Sequence, residues 1–262
     1  MKKIYRYEDN KEYWDRRWTE AGEDTDSFTN MDIYPIKYAE MVMEPGLLAA
    51  EIGCGLGRVI KHYNNQGYNI IGIERSEVAV EKINQTNPEL DVQVGDVLKL
   101  PYSDNKIDIL MAFGLLHNLE NGIEDALAEI SRVLKTGGKF CISMRPDNLE
   151  MAFNEVYWRW KKPKQADAQP RFHKLMVKEG EFAKMLAKIG LEVEQIHRSR
   201  NLSSLYRIPF LRSRSVEQGR EEQRRSAGYQ LNTAGRFLDN ILTRMFPFHT
   251  ANVIIFIGRD IS

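Results

Sequence analysis

The sequence predicts an α/β protein: a doubly wound, mostly parallel sheet of seven strands, with a final antiparallel strand and a helical insertion before it. Three observations carry this. Short β-branched or apolar runs alternate with helix-period stretches from about residue 47 to 144, a glycine-rich bend follows the first run, and the last strand-like run arrives only after a long arginine-rich segment.

The runs are 47–52 (LLAAEI), 69–74 (NIIGIE), 91–95 (DVQVG), 107–113 (IDILMAF) and 138–144 (GKFCISM), each bounded by Gly, Pro, Asn or Asp. Helical spacing fills the gaps at 57–65, at 76–86 behind Ser76, and at 121–135, where Ile123, Leu127, Ile130 and Leu134 repeat until Gly137 and Gly138 stop the pattern. Strand, helix, strand in repetition means right-handed crossovers and helices on both faces. The alternation continues through a helix at 178–189 and "LEVEQIH" (191–197), and "NVIIFIG" (252–258) fits a last, antiparallel strand.

Composition sets outer limits. Of 262 residues 42% are hydrophobic, and Lys+Arg equals Asp+Glu at 37 each, so no global charge draws the chain to nucleic acid or membrane. No signal-like segment opens the chain and no apolar run is long enough to span a bilayer, so a cytoplasmic protein is expected. Cys54 and Cys141 lack metal-site spacing and fall in or beside predicted strands as buried thiols; no metal is implied.

A parallel sheet binds ligands at the carboxyl ends of its strands, where "AAEIGCGLGRVI" (49–60) lies. A dinucleotide fingerprint starting at Gly53 would need a third glycine where Arg58 stands. What remains is E-x-G-x-G-x-G: Glu51 can accept a hydrogen bond from a ligand ammonium, and Gly53, Gly55 and Gly57 let the backbone approach a nucleoside. Glu74, 17 residues after Gly57 at the end of the next strand, can accept both hydroxyls of a ribose; the alternative is a surface acid before a helix capped by Ser76.

Four stretches, 47–60, "IIGIERS", "GDVLKLPYSDNKIDILMAFGLLHNLEN" (95–121) and "SRVLKTGGKFCISMRP" (131–146), occur in the order and spacing of class I S-adenosylmethionine-dependent methyltransferases of the small-molecule group, which the chain resembles over roughly residues 45–146. The resemblance implies a Rossmann-like fold, S-adenosyl-L-methionine as cofactor and methyl transfer as the reaction. It places Glu51 and the backbone of Gly53, Cys54 and Gly55 on the methionine half and Phe113 over it. Glu74, with Arg75 beside it, falls on the ribose, and Asp96 with the Val97 amide on the adenine. Asp96 can also serve its own turn, and Arg58 can pair with an acid or with the methionine carboxylate. Trp14, in the aromatic segment "KEYWDRRW", would belong to a lid over the cofactor or pack against the domain's side.

The acceptor is less legible. Ala112-Phe113-Gly114-Leu115 replaces the Asn/Asp-Pro-Pro-aromatic element of enzymes that methylate planar amines, which argues against exocyclic amines of bases; methylation at oxygen is the expectation. His117, expected at the cleft mouth with an ordinary pKa near 6.5, is a candidate base or a structural residue. Arg145 is a candidate for orienting an anionic acceptor, or faces solvent.

The expected organisation is an N-terminal lid (1–35), a core (36–198 and 251–262) and an insertion (199–250) that caps the substrate. Arg198 to Arg225 holds eight arginines and three glutamates, a local net of +5, and Phe237, Leu238, Ile241, Leu242, Met245 and Phe246 form an apolar stripe after it. A cap over a small-molecule or glycan-like acceptor, a contact with anionic membrane or a lipid-linked substrate, and a dimer face all fit; nucleic acid is disfavoured because the basic stretch is short. RNA or protein methylation through this segment is the alternative function, followed by a nicotinamide oxidoreductase and a non-catalytic cofactor-binding regulator.

Overall fold

The computed structural model describes residues 1–6, 19, 34–161, 169–200, 203–213 and 231–262. Its main sheet is built in chain order from β2 (Ala49–Ile52), β3 (Ile70–Glu74), β4 (Asp91–Val94), β5 (Ile107–Ala112), β6 (Leu134–Met144), β8 (Leu191–Ser199) and β9 (Val253–Asp260). These seven strands run in the order β4-β3-β2-β5-β6-β9-β8, with β9 antiparallel to both neighbours. The order reverses between β2 and β3 on one side and β5 on the other, which opens a crevice at the carboxyl ends of β2 and β5.

Alternation along the central strands sends side chains to two cores. Leu110 and Ala112 of β5 join Ile52, Ile73 and Phe256 on one face, while Ile109 and Met111 join Ala49, Cys141 and Ile255 on the other. The first face is covered by α4 (Ile123–Val133) and α6 (Glu179–Lys188), the second by α1 (Ile36–Ala39), α2 (Arg58–Asn64) and α3 (Glu77–Thr86). Ser76 caps α3 by accepting from the Ala79 amide at 3.4 Å.

One boundary differs from the sequence reading. The helix expected over 121–135 ends at Val133, and Leu134 is extended and pairs with Ile107 as the first residue of β6. The Asn105 and Lys106 amides donate to the carbonyls of Arg132 and Val133, both at 2.9 Å, so the last turn is satisfied by a neighbouring loop before the glycines are reached.

Outside the main sheet lies a two-stranded antiparallel pair, β1 (Lys2–Arg6) with β7 (Arg171–Met176), unforeseen in the sequence. The segment following β6 is a helix, α5 (Leu149–Lys161), and the insertion contributes α7 (Thr233–Met245) and the short α8 (Pro247–Thr250). Among the described residues no helix is long and apolar enough to cross a membrane, and no group of His, Cys, Asp and Glu is placed to hold a metal ion.

Candidate active site

The glycine bend leaves β2 with three left-handed residues at alternate positions: Gly53 (φ +74°), Gly55 (φ +57°) and Gly57 (φ +72°). Any L side chain would be strained there. At Gly53 space is also lacking, since a Cβ would stand 2.9 Å from Leu115 Cδ1. The Gly53 and Cys54 amides are tied to the Ile73 carbonyl at 2.7 and 3.1 Å, which fastens the bend to β3.

Two carboxyl groups flank the bend. Glu51 is 3% exposed, and its Oε2 is buried with no hydrogen-bond partner among the described residues. Burial pushes its pKa up to about 8, with Arg58 pulling it down and Glu74 raising it further. Glu74, at the end of β3, accepts the Gly55 amide on Oε2 and the Ser76 amide on Oε1, both at 2.9 Å. The Ser76 cap of the following helix is present as expected, and the Glu74 carboxylate is held beside the bend with further lone pairs on each oxygen.

After β4, Asp96 accepts the Leu98 amide on Oδ1 at 3.0 Å and faces exposed Arg75, Nε to Oδ2 at 3.9 Å. Its turn role is thus real, its side chain remains partly exposed, and the next residue, Val97, is buried. Phe113, buried after β5, meets the Tyr34 ring edge-on at 5.7 Å between centroids. The Gly114 amide donates to Ser143 Oγ at 2.9 Å, and the Tyr34 hydroxyl lies 2.8 Å from the same atom. Glu51, the bend, Glu74, Asp96 and Phe113 thus cluster at the carboxyl ends of β2 to β5, with carboxyl groups and bare backbone around one crevice.

Residues 50–142 match the family described as a methyltransferase domain. Over these residues the chain carries an S-adenosylmethionine-dependent methyltransferase domain. Over 100 residues the chain is 30% identical to a demethylmenaquinone methyltransferase of Renibacterium salmoninarum, covering 38% of this chain and 41% of that one. Over 123 residues it is 32% identical to a probable tRNA methyltransferase 9B of Mus musculus, covering 45% of this chain and 26% of that one. The chain thus spans less than half the length of these curated relatives. In fold it is similar to a solved SAM-dependent methyltransferase from Methanosarcina mazei, at 15% identity and a TM-score of 0.58 over 87% of this chain and 98% of that one.

Two expectations for His117 and Arg145 are corrected. His117 is buried in a 3₁₀ turn (Leu116–Asn118), with Nδ1 unpartnered among the described residues. Burial, followed by the charges of Arg145 and Lys174, holds its pKa well below the ordinary value, so it is a neutral imidazole and not an exposed group titrating near 6.5. Arg145 does not face solvent: it is half-buried and donates to the Asn252 carbonyl at 2.9 Å.

The arginines of the insertion are not a solvated stripe where they are described. Arg198 forms a bidentate pair with Glu179 at 2.7 Å, Arg200 bonds Asp239 and, at 3.2 Å, Glu150, and Arg212 donates to the Tyr206 carbonyl at 2.6 Å. Arg198 ties β8 to α6, Arg200 ties the start of the insertion to α5 and α7, and the Arg212 bond lies within the insertion. Arg214 and the rest of the basic run to Arg225 lie outside the described residues, as do Trp14 and its aromatic neighbours Tyr13 and Trp18.

Sequence reasoning missed Tyr34, Ser143, Arg6, Glu155, His173 and Lys174. Tyr34 is half-buried, and desolvation pushes its pKa up to about 12. Lys174 and Arg6 share the Glu155 carboxylate, at 2.6 and 2.9 Å. The periodicity gave no warning, because β1 and β7 pair across most of the chain; an unpaired basic residue inside the apolar run "FHKLM" was the available signal.

Proposed function

We propose that this methyltransferase transfers the methyl group of S-adenosyl-L-methionine to an oxygen of a small-molecule or glycan-like acceptor. The observation that carries the donor half is Glu51 Oε2, a buried carboxylate oxygen lacking a partner beside a bend built to admit another molecule. An amino acid's ammonium supplies the donor that this oxygen lacks, and Glu74 supplies lone pairs for ribose hydroxyls. When bound, the cofactor's sulfonium supplies an already activated methyl. The chain's task is then to hold an acceptor oxygen in line at near-attack distance and to receive its proton. Neutral His117, one turn from Gly114, is the group beside that position with an open nitrogen.

A small acceptor is supported over RNA by the ion pairing of Arg198 and Arg200 within the fold, which offsets their charge. A lipid surface as the place where the acceptor is met is supported by α7, which turns Phe237, Met245 and, just beyond it, Phe246 outward at 69, 63 and 49% exposure, beside exposed Arg236 and Arg244.

Calorimetric titration with S-adenosylhomocysteine and NADH in parallel tests the donor half: binding of the first alone is expected, and NADH binding with no S-adenosylhomocysteine response overturns it. A labelled-methyl screen over phenols, carboxylates, sugars and transfer RNA tests the acceptor half. Incorporation into transfer RNA alone would return the RNA alternative.

A further inference from the structure

We propose that the outward face of α5 docks the protein on an anionic lipid bilayer, acting together with the outward face of α7. The inference rests on the lipid-surface reading of α7 for its choice of partner and adds a second helix on observations of its own.

Burial along α5 is the inverse of what an amphipathic helix on a globular protein shows. Its two acids, Glu150 and Glu155, are each only 7% exposed. Leu149, Phe153, Val156 and Trp160 are instead 66, 45, 65 and 80% exposed. Their spacing of four, three and four residues sets them along one side of the helix, an apolar stripe about three turns long.

The acids lie inside because cations meet them there. Glu155 pairs with Arg6 and Lys174 at 2.9 and 2.6 Å, while Glu150 accepts from Arg200 at 3.2 Å and from the Ser204 amide at 2.7 Å. Arg200 also pairs with Asp239, the one acid of α7, so that helix is turned in the same sense, with Phe237, Ile241 and Met245 exposed. Ion pairs thus orient both helices and leave large apolar side chains in water. Such a surface marks a contact with something else.

Charge decides what that is. The exposed charge is Arg159 on α5 and Arg236 and Arg244 on α7. Neither helix offers an acid outward, since Glu150 and Glu155 are buried and Asp239 is held by Arg200. Beyond Trp160 the sequence runs on through Lys161, Lys162 and Lys164 with no acid before Asp167. A second copy of the same face would set arginine against arginine. Phosphate head groups above an apolar layer match both halves of the surface, and Trp160, at the basic end of the stripe, is the residue type that settles at a membrane interface. α5 begins shortly after β6 ends at Met144, on the strand-end side of the sheet where the candidate active site lies. Docking would bring that site toward the bilayer.

The test is co-sedimentation of the full chain with vesicles of mixed phosphatidylglycerol and phosphatidylcholine, and with vesicles of phosphatidylcholine alone. Binding to the mixed vesicles is expected, with at least tenfold weaker binding to the neutral ones. Phe153→Asp with Val156→Asp should weaken it roughly tenfold or more, while S-adenosylhomocysteine affinity stays unchanged and shows the fold intact. Trp160→Phe supplies a second readout: the blue shift of tryptophan emission on adding mixed vesicles should shrink. Binding unchanged in the double variant, or an emission shift undiminished in Trp160→Phe, overturns the role of α5 and leaves that of α7 standing. No binding of the unaltered chain, or equal binding to neutral vesicles, overturns the lipid reading of both helices. A dimer in solution that the double variant splits would make the face an interface between copies and overturns the proposal as well. Failure of the unaltered protein to bind S-adenosylhomocysteine bears on the donor reading instead, and is seen in a separate titration.

Discussion

The Glu74 carboxylate accepts the Gly55 amide hydrogen at 2.9 Å, so the acid that closes β3 also shapes the bend that leaves β2. With its other oxygen held by the Ser76 amide, the carboxylate has one orientation before any ligand arrives. Glu74→Ala should weaken S-adenosylhomocysteine binding by roughly 1.5 to 3 kcal/mol, the magnitude for hydrogen bonds to a charged group. Glu74→Gln, which keeps one acceptor oxygen, should fall between. Calorimetry measures both, and an unchanged affinity in the alanine variant would remove the ribose role.

Glu51 links the site to pH. Its folded pKa of about 8 stands above the ordinary 4.5, so between those values the folded protein keeps a proton that the unfolded chain has released. Stability of the ligand-free protein from this group is therefore full below about 4.5, falls as pH rises toward 8, and is level above. Glu51→Gln should abolish that slope in urea midpoints. Pairing with a ligand ammonium ionises the group, so S-adenosylhomocysteine binding at pH 7 should release most of one proton, detected by calorimetry in two buffers of different ionisation enthalpy. Release that persists in Glu51→Gln would assign the proton elsewhere.

Gly53→Ala adds a methyl where φ is +74° and Leu115 Cδ1 would be 2.9 Å away. A destabilisation of roughly 1 to 2 kcal/mol is expected from the backbone alone, and Leu115→Ala in the same chain should recover only the contact portion. Denaturant midpoints of the two single variants and the double separate the parts.

His117 should remain neutral throughout pH 6 to 7, because burial and the neighbouring Arg145 and Lys174 disfavour its charged form. Its imidazole proton resonances should not titrate across that range. A midpoint near 6.5 would mean an exposed ring.

The outward face of α7 should bind anionic vesicles through its apolar row and flanking arginines. Phe237→Asp with Met245→Asp should abolish co-sedimentation without altering S-adenosylhomocysteine affinity. No co-sedimentation of the unaltered protein would end the lipid-surface reading.

Much of the core was legible because its signals are local. Val, Ile and Leu runs bounded by glycine, the stripe of Ile123, Leu127 and Ile130, and the Ser76 cap each depend on residues a few positions apart, and each appears where expected. Leu134 was misread because its helical spacing is genuine; the amides of Asn105 and Lys106, nearly thirty residues away, stop the helix first.

What the sequence determined by itself was therefore the sheet, the bend at Gly53 to Gly57 and the acids beside it, since strand ends and left-handed turns are written in neighbouring residues. Only the tertiary structure decided the acceptor side. His117 became a buried neutral ring, Arg145 turned inward, and Arg6 met Lys174 over Glu155, because the charge of such groups depends on what distant segments bring against them and on how much water is left.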